Sequence, residues 1–318
     1  MRVDGGVREV VIGVPDLAEA AAHWREWGYR VDRPGALDAD AAHRLYGVGA
    51  SLQALRLRHG TACCGLIRLW QWSPPARTAS GLGLAAMRSI GSRWSVHRTD
   101  DITAALGWAR HLSQSMPTVS VTGPVVHSHG RGIASINLAI FTPLYRHVVL
   151  VRRGIDVPRY GTPDPLSLLG TSEACHVGLV LPDSMRAATR FYSALGLCLV
   201  SERRVSFDPE SVATQMFPLR PGEALTEMDF DDPSAGPGAG QLPGRLRVFL
   251  LQSSSAEACL SPALNALGYV AYTLRLRGNA AALRDSGAAV DGQGADEFGD
   301  DAVSFRAPDG QRWLARLC

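Results

Sequence analysis

The stretch EVVIGVPD at residues 9–16, followed by LAEAAAHWREWGYRV at 17–31, decides the fold because the chain repeats it. About 167 residues later, HVGLVLPD at 176–183 is followed by SMRAATRFYSALGLCLV at 184–200. Each copy predicts a strand, a helix that begins at a Pro-Asp pair, a glycine that ends the helix, and a second strand. A repeat of this length indicates that the chain is built from duplicated structural units.

The aspartates and aromatic residues of the two copies occupy matching positions. Asp16 and Asp183 lie where a helix N-cap accepts hydrogen bonds from the free amides of the first turn. Trp24 and Phe191 each follow their aspartate by eight residues, so both are predicted to press an aromatic ring onto a sheet. Packing in the hydrophobic core is the simplest interpretation of both rings.

Two shorter and less regular copies complete the pattern. WSVHRTDD at 94–101 leads into the helix-like ITAALGWARHL at 102–112, and YVAYTLRL at 269–276 leads into a helix-like stretch at 279–290. Strand-like sequence follows both, so we predict an α+β fold of four βαβββ modules. Segments rich in Pro and Gly at 73–91 and 156–170 separate the modules, and 232–244 is a loop. The predicted domains are 1–155 and 171–318, with two modules in each.

The composition excludes several classes of function. The chain has 318 residues, of which 46% are hydrophobic, and a formal net charge of +2 without a long basic run. That charge pattern argues against a nucleic-acid partner. All 32 basic residues are arginines, so a lysine Schiff base is excluded and an anionic ligand would meet guanidinium groups.

The N-terminus and the cysteines indicate a cytoplasmic protein. The first ten residues, MRVDGGVREV, lack the apolar core of a signal peptide, and no apolar stretch approaches the roughly 20 residues of a membrane helix. We therefore expect no membrane association. The six cysteines show no CxxC spacing, which argues against a zinc knuckle or a redox pair, and free thiols are expected.

The order of these motifs resembles the vicinal oxygen chelate superfamily, which includes glyoxalases, bleomycin-resistance proteins and extradiol dioxygenases. The resemblance rests on VPD at 14–16, LPD at 181–183 and FRAPDG at 305–310, and it covers nearly the whole chain. It implies that paired modules form half-barrel sheets around a cavity, one cavity for each half of the chain. It also implies a divalent metal (Fe, Mn, Ni or Zn) held by His, Gln or Glu, unless the cofactor has been lost.

The metal positions that the resemblance implies are only partly filled. The first-strand position holds Glu9, Trp94 and His176 in modules one to three, and Tyr269 or Ala271 in module four. The last-strand position holds Leu314 in module four and Val149 in module two, where His147 shares the strand face. Gln71 occupies the corresponding end of module one. The implied metal ligands are therefore Glu9, Gln71 and His147, an incomplete set that argues against a ring-cleaving dioxygenase.

Each remaining candidate has a functional and a structural interpretation. Glu9 and His176 are the predicted catalytic acid/base residues. Alternatively, Glu9 lies at the solvent-exposed end of its strand, and His176 is a core histidine whose hydrogen bonds are made within the protein. Trp94 and Tyr269 are predicted to stack on a flat ligand. Arg312 is predicted to approach an anionic group, or else to lie at a wet barrel edge.

Two functions remain open. The first is a metal-assisted or metal-free isomerase or lyase that acts on a small oxygenated substrate, with Glu9 or His176 moving a proton. The second is a binding protein that sequesters an aromatic natural product, as resistance members of the superfamily do. Four modules complete both cavities within one chain, so either a monomer or a homodimer is compatible with the sequence.

Overall fold

The computed structural model describes residues 2–74, 87–116, 118–130, 132–142, 144–154, 160–209, 211–232, 244–252 and 263–318. Most of the predicted loop at 232–244 lies outside these ranges. Within them the fold is α+β, as predicted, with two sheets of nine strands each. No helix among these residues is long and apolar enough to cross a membrane.

The four predicted modules are present. After a short first strand, β1 (Arg2–Val3), module one comprises β2 (Glu9–Gly13), α1 (Leu17–Glu26), β3 (Tyr29–Leu37), α2 (Ala39–Tyr46), β4 (Ser51–His59) and β5 (Leu66–Ser73). Module two comprises β6 (Arg93–Thr99), α3 (Ile102–Ser115), β7 (Ser120–Val121), β8 (Val125–Gly130), β9 (Ile133–Phe141) and β10 (Arg146–Arg153).

Modules three and four repeat this plan. Module three comprises β11 (Thr171–Pro182), a 3-10 helix (Asp183–Thr189), α4 (Arg190–Ala194), β12 (Cys198–Ser206), α5 (Val212–Met216), β13 (Ala224–Asp231) and β14 (Arg245–Gln252). Module four comprises β15 (Gly268–Arg277), α6 (Ala280–Asp285), β16 (Ala289–Ala295), β17 (Asp301–Arg306) and β18 (Arg312–Leu317).

The modules do not pair within each half of the chain. The first sheet has the order β16-β17-β18-β15-β2-β5-β4-β3, with β1 beside β15, and joins module one to module four. The second sheet has the order β12-β13-β14-β11-β6-β10-β9-β7, with β8 beside β9, and joins module two to module three. The expectation of one cavity for each half is therefore wrong. The ranges 1–155 and 171–318 both contribute strands to each sheet, because β2 pairs with β15 and β6 pairs with β11.

The helix starts of the two clearest copies differ. The carboxylate of Asp16 accepts a hydrogen bond from the Glu19 amide at 2.8 Å, so the predicted N-cap of α1 is confirmed. Asp183 does not cap a helix, because its carboxylate pairs with Arg186 and the segment begins as a 3-10 helix. The core prediction is confirmed for both aromatic residues, since Trp24 and Phe191 are buried.

Side chains alternate between two faces of each sheet. We call the face that carries Val10 in the first sheet and Val177 in the second sheet the outer face. The outer faces and the helices α1, α3, α4 and α6 share one hydrophobic core, in which Trp24 and Phe191 both lie. The inner faces carry two separate clusters, one around Val11 and one around Val96. These inner faces are where a binding site can form.

Candidate ligand-binding site

A cavity of about 730 Å³ lies on the inner face of the second sheet, and we call it the open cavity. A volume of this size matches a small-molecule site. Much of its wall is aromatic or aliphatic. These apolar residues include Met87, Trp94, Val96, Phe217, Leu225 and Phe249.

Trp94 forms the centre of the aromatic wall. Its ring centroid lies 5.3 Å from that of Phe249 and 5.7 Å from that of Phe217. Gly178 lies opposite Trp94 in the antiparallel pair of β6 and β11. The indole lies across this glycine and fills the space where a side chain would otherwise stand.

His176 also lines the open cavity, beside a tyrosine that sequence analysis did not identify. The Tyr160 hydroxyl hydrogen-bonds Nδ1 of His176, and the two rings stack with their planes 15° apart. Burial, followed by Arg247, Arg245 and Arg152, holds the pKa of His176 well below its usual value. The imidazole is therefore neutral at pH 7, and Nε2 is the ring nitrogen left for a molecule in the cavity.

The carboxylates beside His176 are balanced by arginines. Asp229 accepts hydrogen bonds from Arg245 at 2.9 Å and from Arg247 at 2.7 Å. The other ion pairs of this network join Arg245 to Asp231 at 2.6 Å, Arg247 to Glu227 at 3.3 Å, and Arg203 to Glu227 at 3.0 Å. Three arginines thus face three carboxylates, and the network carries no net charge.

Arg152 lies outside this network although it lines the same cavity. Its guanidinium carbon lies 4.8 Å from the centroid of the Tyr160 ring, a cation–π contact. Among the described residues no carboxylate pairs with Arg152. Counting the described residues alone, the part of the open cavity near His176 carries one positive charge in excess.

A β-bulge places Cys175 on the same side as His176, although simple alternation predicts opposite faces. The register of β11 against β6 shifts between Ala174 and His176, and the Cys175 sulfur lies 3.6 Å from Nδ1 of His176. The thiol donates to the backbone oxygen of Val96, and burial raises its pKa to about 12. Cys175 is therefore a packed thiol and not a nucleophile.

The described residues of the open cavity do not fit a divalent metal. No three His, Cys, Asp or Glu side chains in the described part of the chain lie close enough to hold one. Glu227 already pairs with two arginines, and the excess charge near His176 is positive. A site of this polarity repels a cation and attracts an anion.

The inner face of the first sheet is filled by charged side chains, with Glu9 at its centre. The Glu9 carboxylate lies 2.7 Å from Nε of Arg56 and 2.6 Å from Nη2 of Arg68, and Thr273 donates to it at 3.2 Å. Burial opposes ionisation of Glu9, but Arg68, Arg56 and Arg8 outweigh it and keep the pKa of the carboxyl below its usual range. The remaining void is about 10 Å³. Glu9 is therefore a structural ion-pair residue.

The first sheet closes around this network. Glu297 accepts hydrogen bonds from the Trp70 indole at 2.6 Å and the Tyr46 hydroxyl at 2.7 Å, and its backbone oxygen accepts from the Ala36 amide at 3.0 Å. A Cβ at Gly35 would lie 2.3 Å from that same backbone oxygen, so only glycine allows this approach. Helix α2 adds Tyr46 to the interior and leaves no room for a ligand there.

The predicted metal set of Glu9, Gln71 and His147 does not come together. Gln71 donates to the Pro15 backbone oxygen at 2.7 Å. His147 is buried on the outer face of the second sheet, where its Nε2 lies 3.1 Å from Nε2 of His23. The three side chains belong to two sheets and two faces, so the ligand set is wrong.

Tyr269 and Arg312 do not contact the open cavity either. The register of β15 against β2 shifts between Tyr269 and Ala271, and this bulge directs Tyr269 into the outer core, where its hydroxyl lies 2.9 Å from that of Ser95. Arg312 is the first residue of β18, where its partly exposed side chain pairs with Asp291 at 3.3 Å. Arg312 therefore lies at the solvent-exposed rim of the sheet and does not approach a ligand in the open cavity.

Several residues of the site were missed in the sequence, among them Tyr160, Arg152, Arg247 and the wall residues Phe217 and Phe249. Tyr160 lies in the Pro- and Gly-rich segment at 156–170, which was interpreted only as a boundary. Arg152 lies at the end of β10, next to the exposed Arg153. The signal that could have identified Arg247 is the run RLRVF at 245–249, in which Arg245, Arg247 and Phe249 share one face of an apolar strand.

Comparisons with known proteins support the fold. No family model matches the chain, and no curated protein sequence matches it. Glyoxalase I from Zea mays is 14% identical, with a TM-score of 0.57 over 99% of this chain and 92% of that one. A single-substitution mutant of it is 14% identical, with a TM-score of 0.60 over 98% and 93%. A Bacillus subtilis protein provisionally described as a dioxygenase is 10% identical, with a TM-score of 0.54 over 100% and 86%.

These similarities concern the fold. They confirm the glyoxalase-like fold of paired βαβββ modules that the motifs predicted, in a single chain with two such sheets. Identities of 10–14% do not carry the activity of those proteins over to this chain.

Proposed function

We propose that this protein binds an aromatic small molecule in the open cavity. The observation that carries the proposal is the wall formed by Trp94, Phe217 and Phe249 around a cavity of about 730 Å³. Aromatic rings at such distances offer stacking surface to a flat ligand. Among the described residues, the inner face of the first sheet encloses a void of only about 10 Å³, because Glu9 and its ion-pair partners fill it.

The fluorogenic probe N-phenyl-1-naphthylamine tests this proposal, since it is apolar and aromatic and becomes fluorescent in a dry site. We expect the wild-type chain to bind one molecule of the probe. Phe249→Ala is expected to weaken binding about tenfold, because one stacking ring and its buried area are lost. Phe191→Ala is the matched control, since it removes an equal ring from the core outside the cavity.

Two results would contradict the binding proposal. One is the absence of saturable probe binding to the folded wild-type chain. The other is equal weakening by Phe249→Ala and Phe191→Ala, which would show that the effect follows stability and not the cavity wall. Circular dichroism of each variant establishes that the chain is folded before binding is measured.

A second candidate function is proton transfer by His176 on the bound molecule, in an isomerase- or lyase-like reaction without a metal. It is favoured by the hydrogen bond between Tyr160 and Nδ1 of His176. If the hydroxyl donates to Nδ1, Nε2 carries the other proton. In the opposite tautomer Nδ1–H donates to the Tyr160 oxygen, and the bare Nε2 takes a C–H proton from the bound molecule and leaves an enolate. The same Nε2 returns a proton to the enolate carbon, so His176 and Tyr160 end the cycle as they began it. Arg152 and Arg245 lie beside this pair, with guanidinium carbons 4.8 and 5.8 Å from the Tyr160 ring centroid.

Deuterium exchange tests the second candidate. Phenylpyruvate has exchangeable benzylic protons, and their loss in D2O is followed by proton NMR. We expect the wild-type chain to accelerate exchange, and His176→Gln and Tyr160→Phe to abolish the acceleration. His111→Gln, on the exposed face of α3, is the control that keeps it. Equal rates with and without the wild-type protein would remove this candidate and leave the binding proposal intact.

A further inference from the structure

We infer that the open cavity recognises an anionic group on its aromatic ligand, and that Arg152 is the residue that binds this group. The inference rests on the proposed binding function and specifies the chemical class of the ligand. The class is an aromatic compound that carries an oxyanion such as a carboxylate or sulfonate.

The first step of the argument is the charge around the cavity. Arg203, Arg245 and Arg247 are neutralised by Glu227, Asp229 and Asp231 through ion pairs of 2.6 to 3.3 Å. Arg152 has no carboxylate partner among the described residues. One guanidinium charge is therefore available to a ligand.

The second step is the position of Arg152. Its guanidinium lies over the face of Tyr160 at 4.8 Å, and Tyr160 in turn hydrogen-bonds His176. The stacking contact limits the freedom of the side chain, so less entropy is lost when it binds a ligand. Arg152 is only partly exposed, and a charge interaction in a partly buried cavity is stronger than one in open water.

The third step is the geometry of the donors. A guanidinium presents paired N–H donors that match the two oxygens of a carboxylate or sulfonate. Nε2 of His176 adds another donor when Tyr160 donates to Nδ1. The resemblance implies a metal at this place in the fold, but here the available groups are hydrogen-bond donors. These donors favour a ligand that carries an oxyanion.

The experiment compares two probes that differ by one charged group. N-phenyl-1-naphthylamine is the neutral probe, and 8-anilinonaphthalene-1-sulfonate has the same ring system with a sulfonate added. We expect the wild-type chain to bind the sulfonate about tenfold more tightly than the neutral probe, the ordinary contribution of a hydrogen bond to a charged group. Arg152→Gln is expected to abolish this preference while affinity for the neutral probe stays the same.

Arg153→Gln is the matched control, because it removes the same charge from the next residue, which is exposed. Arg152→Lys keeps the charge without the paired donors, and an intermediate preference is expected. A sulfonate preference that survives in Arg152→Gln, or that falls equally in Arg153→Gln, would overturn the inference. So would equal affinities of the wild-type chain for both probes. Failure of the neutral probe to bind would instead overturn the binding proposal itself.

Discussion

Gly178 and Trp94 face each other across the antiparallel pair β6–β11, and a Cβ at position 178 would lie 2.1 Å from Cε2 of the indole. Real Cβ atoms do not approach other atoms so closely. The orientation of the aromatic wall of the open cavity therefore depends on the absence of a side chain on the neighbouring strand.

Gly178→Ala should displace Trp94 and weaken binding of N-phenyl-1-naphthylamine. We expect it to destabilise the chain by about 1–3 kcal/mol, because it overpacks a buried site. Urea denaturation measures the stability, and probe titration measures the binding. Gly294→Ala is the control, since a Cβ at Gly294 meets open space. If Gly178→Ala behaves like Gly294→Ala in both measurements, the indole does not depend on this glycine.

Glu9→Gln should destabilise the chain without changing the open cavity. Removing the charge of Glu9 leaves the buried Arg56 and Arg68 short of a partner, which typically costs about 3–5 kcal/mol. Asp32→Asn provides a comparison, because the partly exposed Asp32–Arg58 pair should contribute about 1 kcal/mol or less. Chemical denaturation measures the free energy of unfolding of both variants, Glu9→Gln and Asp32→Asn. A folded Glu9→Gln variant of normal stability that has lost ligand binding would restore the functional interpretation of Glu9.

The chain should lose stability in mild acid because the residues His23, His97 and His147 lie against one another and have lowered pKa values. Burial, followed by His97, lowers the pKa of His23 to about 3, and burial is also the largest cause that lowers the pKa of His147. Further titratable groups near these histidines include Tyr145, stacked on His23, Glu26, which accepts a hydrogen bond from Trp108, and Tyr29 and His59 beside His97.

The direction in which stability changes with pH follows from these lowered pKa values. Above about pH 6.5, His23 is neutral both in the folded and in the unfolded chain, so its contribution to stability is fully present. Between pH 6.5 and 3 only the unfolded chain takes up the proton, and unfolding becomes easier by about 1.4 kcal/mol per pH unit for each such histidine. Urea denaturation from pH 7.5 to 5 measures this slope. His23→Gln should reduce it, while His43→Gln, on an exposed position of α2, should leave it unchanged; a slope that His23→Gln does not alter would contradict the assignment.

Removal of divalent metals should change neither stability nor probe binding. The described residues provide no group of three metal-binding side chains, and the excess charge near His176 is positive. Thermal melting and probe titration before and after dialysis against a chelator test this expectation. Stoichiometric metal in the purified protein that disappears in His176→Ala would show that the donor set has been misjudged.

The elements of the fold could be predicted because their causes are local. Asp16 caps α1 through an amide three residues away, and Trp24 is directed into the core by helical spacing. Such features repeat wherever the sequence repeats, which is why four modules were visible before the structure. Asp183 is the exception, since a nearby arginine competes for its carboxylate.

The site could be predicted only in part. Trp94 and His176 were placed correctly on strand faces that line the open cavity. Tyr269 was not, because a β-bulge between Tyr269 and Ala271 reverses the alternation on which the prediction rested. Tyr160 and Arg152 had no recognisable pattern, since their roles depend on contacts between segments that are distant from the repeat motifs.

The sequence by itself determined the modules, the start of α1 and the burial of Trp24 and Phe191, because hydrophobic periodicity and capping act within a few residues. The tertiary structure alone decided which modules pair, which inner face is filled and which stays open. All four first strands are similar, so nothing local selects β15 as the partner of β2. That pairing brings Thr273 and Glu297 of module four to the ion-pair network of Glu9, and this cavity closes, whereas His176 meets Tyr160 beside a cavity that remains open.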